Sequence, residues 1–186
     1  NELSKLGHTI IFVDSIGLRK INFQNKKDLS RIFLKVKNFF NPVKKIKKNF
    51  YVITPLIIPF FKSNKIIKFI NYHLFAFKFN SLLLDIKIPE KKIILWSYHP
   101  FVKDLIDIKK FNKIIYRSVD DLRFLPDIKI KDYIKTENNF VKESNFIFTT
   151  NKKLFNKYKK KNKNVFYHSN VVDINFFKPK NVKIKQ

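Results

Sequence analysis

The chain has no cysteine and no methionine, two glycines, one tryptophan and only 14 acidic residues among 186. Without cysteine there are no disulfides and no thiolate metal sites. Translated chains normally start with methionine, so its absence makes a piece of a longer protein, or a processed one, the expectation. The two glycines, Gly7 and Gly17, build no glycine-rich phosphate loop, and no nucleophile triad or zinc spacing appears. No run of about 20 residues is free of charge, so no membrane-spanning helix is expected. The nearest stretch, Ile66–Ile88, is interrupted by Lys68, His73, Lys78 and Asp85.

What is present is apolar and basic. The hydrophobic fraction is 45%, ample for one core, and the length fits one domain of ordinary size. The formal net charge is +26. The basic residues are almost all lysine and are spread along the whole chain, which outlines no groove, so nucleic acid is not expected as a partner. Lysine also travels here with asparagine, isoleucine and phenylalanine, which share A/T-rich codons, so genome composition contributes to the excess. The field still favours anionic ligands and anionic membrane surfaces.

Apolar runs and breakers give a strict alternation. A helix end over Asn1–Leu6 is closed by Gly7, and strand Thr9–Val13 follows, with Asp14 at its carboxyl end. A helix is predicted from Asp28 to Phe40, a strand at Phe50–Thr54 after the basic segment Val43–Lys48, and a long helix at Lys65–Leu84. In that helix Ile66, Ile70, Leu74 and Phe77 form one stripe, which Ile67, Phe75, Phe79 and Leu82 widen. The central unit is strand Lys92–Trp96, loop Ser97–Pro100, helix Phe101–Phe111, strand Lys113–Arg117 and the acidic tip Ser118–Asp121. Helix Lys131–Ser144, strand Asn145–Thr149, helix Asn151–Lys161 and strand Asn164–Tyr167 complete the order. This predicts an α/β fold: a Rossmann-like parallel sheet with helices on both faces. Opening on a helix implies that the first, central strand of the sheet lies upstream. The domain is expected over 1–178, with 179–186 beginning a connector.

Ligands of such sheets gather beyond the carboxyl ends of the strands. Tyr98 and His99 lie in the loop after one strand, and Arg117, Asp120 and Asp121 lie at the end of the next. His99 suits a hydrogen bond to a sugar hydroxyl or phosphate oxygen, or to the backbone of its own loop. Asp120 and Asp121 suit acceptance from ligand hydroxyls; the alternative is capping of Leu122–Leu125. No further acidic cluster accompanies them, so no metal site is expected. Arg117 and Arg19 offer planar forks for phosphate or carboxylate, or are solvated loop charges. Trp96 is read as core packing under its loop, with sugar stacking as the alternative. His73 is read as a core or rim residue, and Glu137 as a helix-face charge.

Five segments, in order, resemble the amino-terminal half of a GT-B glycosyltransferase, in the group that includes lipopolysaccharide and capsule sugar transferases. They are Leu6–Val13, Ile94–Pro100 with Trp96, Tyr98 and Pro100, Tyr116–Asp121, Glu137–Leu154, and Ser169–Asp173 followed by Phe176. Val171 stands where that family has glycine, Asn145 where it has aspartate, and Asn151 where it has serine. The resemblance implies transfer of a sugar from a nucleotide-sugar donor, bound mainly by a second half, to a saccharide or lipid-linked acceptor. It implies no cofactor and no metal, cell-surface polysaccharide assembly, and a cytoplasmic protein in peripheral contact with the inner face of an anionic membrane. It gives Asn170 the crossover into the second half. Two alternatives stand beside it: a basic module for an anionic polymer or membrane, and a non-transferase of the same fold such as a nucleotide-sugar epimerase.

Overall fold

The computed structural model describes residues 2–14, 43–57, 65–124 and 129–169, with a few positions between 30 and 39. The expected helix at 28–40, the connector at 179–186, Arg19 and Asn170 lie wholly or largely outside the described residues.

The chain opens on helix α1 (Glu2–Lys5). Gly7, at φ +87°, ends it in the left-handed conformation that glycine adopts without a Cβ penalty. Its N–H donates to the Ser4 carbonyl and that of His8 to the Leu3 carbonyl, the paired bonds of a Schellman stop. Strand β1 (Ile10–Val13) follows at once. It pairs in parallel with β3 (Phe50–Ile53), Ile10 opposite Phe50.

The next element corrects the sequence reading. The basic segment before Phe50 is a strand, β2 (Lys44–Lys47), paired antiparallel with β3 through a turn at Lys48-Asn49. Asn49 takes φ +62°, which asparagine tolerates better than most residues. Its lysines hid it from a search for apolar runs. An antiparallel edge strand on an otherwise parallel sheet is common in α/β domains.

Helix α2 (Lys65–Ile86) carries the chain to β4 (Ile94–Ser97). The expected helix over Phe101–Phe111 is instead two 3-10 turns, Pro100–Asp104 and Ile108–Lys110. Asp107 separates them: its carboxylate accepts from the Lys109 N–H and starts the second turn afresh. Then come β5 (Lys113–Ser118), α3 (Ile130–Glu143), β6 (Phe146–Thr149), α4 (Lys152–Lys159) and β7 (Val165–Tyr167). Strands β4-β5-β6-β7 form an all-parallel sheet in that order, and β1-β3-β2 form a second, three-stranded one. The α/β, Rossmann-like fold class is borne out.

Both sheets feed one core. Ile53, Ile114, Tyr116, Ile147 and Val165 from the strands meet Phe75, Phe79, Leu82 and Leu83 of α2, Phe140 and Val141 of α3, and Leu154 and Tyr158 of α4. Strand side chains alternate between faces, so the inward residues of neighbouring strands share one face of their sheet. On the other face Phe12, Ile94, Trp96, Phe146 and Phe166 are exposed. Trp96 is therefore not core packing: it is 45% exposed and stacks toward Phe148 at 6.4 Å. Helix α2 also turns differently from the expected stripe. Phe75, Phe79 and Leu82 go inward, while Ile66, Ile70 and Phe77 of the first stripe face out. His73 is exposed on that outer side, edge-on to Phe69 at 4.1 Å.

Candidate functional site

The carboxyl ends of β4 and β5 are neighbours, because Ser97 pairs with Tyr116 and the strands run parallel. Beyond β4, Ser97 folds its hydroxyl back onto the chain. Its Oγ donates to the His99 carbonyl at 2.7 Å and accepts from the His99 N–H at 3.3 Å. This tight turn leaves Tyr98 exposed, and the Arg117 guanidinium of β5 lies 5.9 Å from its ring. Tyr98 and Arg117 are thus brought together as a cation–π pair.

His99 behaves differently. It is mostly sheltered, 6.5 Å from the Phe101 ring, and its buried Nδ1 has no hydrogen-bond partner. Burial pushes its pKa down to about 4, because the charged imidazolium loses water and gains no counter-ion. At neutral pH it is an uncharged ring beside the site.

Asp121 is committed to Arg123. The Nε donates to Oδ1 at 2.9 Å and to Oδ2 at 3.0 Å, and Nη2 donates to Oδ2 at 2.5 Å. The same carboxylate accepts from the Arg123 N–H at 3.2 Å and so caps the turn Leu122–Phe124. These bonds to Arg123 hold the Asp121 carboxyl below the usual range and raise the guanidinium. Asp120, exposed, is the carboxylate of the pair not engaged with Arg123.

Under the tip lies a polar cluster that the sequence reading missed. Glu137 of α3, read as a surface charge, is fully buried. Its Oε1 accepts from the Tyr133 and Tyr158 hydroxyls, each at 2.6 Å, and its Oε2 pairs with the Lys157 ammonium. Each tyrosine has a single proton, and that of Tyr158 goes to Glu137. The Ser118 hydroxyl, 3.1 Å away, must therefore donate to Tyr158. The Tyr116 hydroxyl is buried near Ser118, Tyr133 and Tyr158 but meets hydrogen-bond geometry with none of them. Burial first, and then the Glu137 charge, push Tyr116 up to about 12. Burial and the neighbouring tyrosines and carboxylate raise Tyr133 and Tyr158 as well. The tyrosines stay protonated donors, and the one full negative charge sits on Glu137 against Lys157.

The signal for this cluster was in the chain. Tyr133 and Glu137 are four apart, one above the other on a helix face. The contribution of Lys157 and Tyr158 required knowing that α4 packs beside α3.

Beyond β6, the Thr150 hydroxyl donates to the Val119 carbonyl at 3.1 Å and ties the two tips together. Asn151, in the serine position of the resembled motif, caps α4 by accepting from the Lys153 N–H at 2.7 Å. Asn145, in the aspartate position, accepts from the Ile114 N–H at 2.8 Å. Among the described residues no group of three or more metal-ligating side chains gathers, and no helix is long and apolar enough to cross a membrane. A shallow concavity lined by Lys131, Ile134, Asn138 and Lys142 lies along α3.

No family model matches the chain, and no curated protein matches it either.

Proposed function

We propose that this chain is the acceptor-side half of a GT-B glycosyltransferase. The observation that carries the reading is a convergence. Segments that resemble the family's strand-end motifs fall at the carboxyl ends of neighbouring parallel strands, with Tyr98 against Arg117 and Asp120 beyond them. An exposed aromatic ring offers a stacking plane for a sugar, and a carboxylate accepts from its hydroxyls. Arg117 supplies a positive fork for a phosphate or carboxylate on the acceptor. Glu137 and its tyrosines hold the tip from beneath. The nucleotide sugar is assigned mainly to a second half, where positive groups would stabilise the departing diphosphate. Peripheral contact with an anionic membrane fits the net charge of +26.

The test is titration of the isotope-labelled chain with bacterial surface oligosaccharides, followed by amide and side-chain shifts. Saturable shifts at Tyr98, Arg117 and Asp120 are expected, with no sugar transfer by this chain alone. Shifts confined to the lysines, in response to any polyanion and lost steeply with salt, would favour a basic binding module instead.

A further inference from the structure

Helix α2 is apolar on two sides, and the core takes only one of them. Along the other side the exposed residues are Ile66, Ile70, His73, Phe77, Asn80 and Leu84, with Phe69 beside them. Phe77 is 74% exposed and Leu84 78%. The steps between these six are four, three, four, three and four residues. That is heptad spacing, the pattern by which one helix meets another along its length. From Ile66 to Leu84 the seam runs about 27 Å.

The seam is clear of lysine in a chain whose net charge is +26. The lysines within the helix turn away from it. Lys68 pairs with Asp104 at 3.0 Å, and the Lys78 ammonium donates to the Phe39 carbonyl. The exposed charges of α2 stand at its two ends: Lys65 is its first residue, and Asp85 lies in its last turn.

The stripe is also symmetric about Phe75. Ile66 and Leu84 lie nine residues to either side of it, Ile70 and Asn80 five, His73 and Phe77 two, and Lys65 and Asp85 ten. Turned end over end, α2 therefore matches itself: Ile66 meets Leu84, Ile70 meets Asn80, His73 meets Phe77, and Lys65 meets Asp85. A parallel match sets lysine against lysine and aspartate against aspartate, which costs energy at both ends.

We infer that the outer side of α2 is a dimer interface, in which the helices of two copies of this chain pack antiparallel about a two-fold axis at Phe75. An isologous contact needs one self-complementary patch, and this stripe is one. Closing it takes Phe77 and Leu84 of both copies out of water and joins Lys65 to Asp85 at each end. His73 and Asn80 are the polar positions of the seam, which fix register at a cost in affinity. One helix pair makes a small interface, so a Kd in the micromolar range is expected. The inference does not rest on the sugar-transfer reading.

The experiment is sedimentation velocity of residues 1–186 over a concentration series, where a reversible monomer–dimer equilibrium is expected. Added salt should tighten it, because two strongly positive copies repel and screening relieves that repulsion. Phe77→Glu is expected to raise Kd about a hundredfold by placing carboxylates in the closed seam. Lys65→Glu and Asp85→Lys should each raise Kd about tenfold, and the two together should return it to within about twofold of the parent. The two positions are about 30 Å apart within one helix, so recovery reports contact between copies. The chain has no cysteine, so cross-links can be placed at will. Ile70→Cys combined with Asn80→Cys should give a covalent dimer on mild oxidation, and either change alone should not. Unchanged urea midpoints would show that the variants fold. A monomer at every concentration, charge changes without effect, or single-cysteine variants that cross-link as readily as the pair would overturn the inference. So would vesicle binding by a monomeric chain that Phe77→Glu abolishes, since lipid would then be the occupant.

Discussion

Glu137 is the residue whose removal should be felt most. Replacing it with leucine strands the Tyr133 and Tyr158 hydroxyls and leaves Lys157 without its counter-ion. A loss of about 3 kcal/mol is expected, read as a lower urea midpoint with unchanged slope. Glu137→Gln keeps an acceptor for the tyrosines, and about half that loss is expected. Acid should act in two separate windows. His99 has a depressed folded pKa, so the unfolded chain takes up its proton first. Its contribution is complete above pH 6.5 and is lost as pH falls from there toward 4. Asp121, also depressed but from 3.8, contributes above that value and loses its share only at lower pH. His99→Gln is expected to flatten the upper window and leave the lower one, as followed by urea midpoints across pH. The strand-end positions of these residues were legible from apolar runs and polar loops. Their partners were not: Arg123 is two residues from Asp121, but nothing in a linear reading distinguished this pairing from solvation. The burial of Glu137 depends on α3 meeting α4.

At the scale of elements, asparagines fasten the parallel strands to the helices. Asn162 donates through Nδ2 to the Val141 and Ser144 carbonyls, both at 2.8 Å, and closes the end of α3. Asn164 donates to the Asn145 carbonyl at 3.1 Å, and Asn145 accepts from the Ile114 N–H. Asn145→Ala removes that acceptor, and a loss of about 1–2 kcal/mol is expected by thermal or urea unfolding. Asn145→Asp keeps an acceptor of the same shape and should cost less. The strands were readable because each is a short β-branched and aromatic run between breakers. The orientation of α2 was not, because apolar side chains surround it and periodicity cannot choose a face. The strand β2 escaped because its lysines mark an outer edge, where burial does not shape the sequence.

For the whole molecule, charge and exposed rings act together. Net charge of +26 and a sheet face bearing Phe12, Trp96, Phe146 and Phe166 predict binding to anionic vesicles at low salt. Cosedimentation should fall away as the screening length drops to about 8 Å near physiological salt. Trp96 is the only tryptophan, so its emission reports on this face alone. A blue shift on binding would place the rings in the lipid, and an unchanged spectrum would assign the attraction to lysines elsewhere. The strap from Thr150 to Val119 adds a mechanical consequence. Two loops that would otherwise wander independently are yoked, so a molecule that pulls on the acidic tip must also drag the start of α4. Cutting the yoke with Thr150→Val should loosen both loops at once, and the price would appear as slower capture rather than a weaker fold.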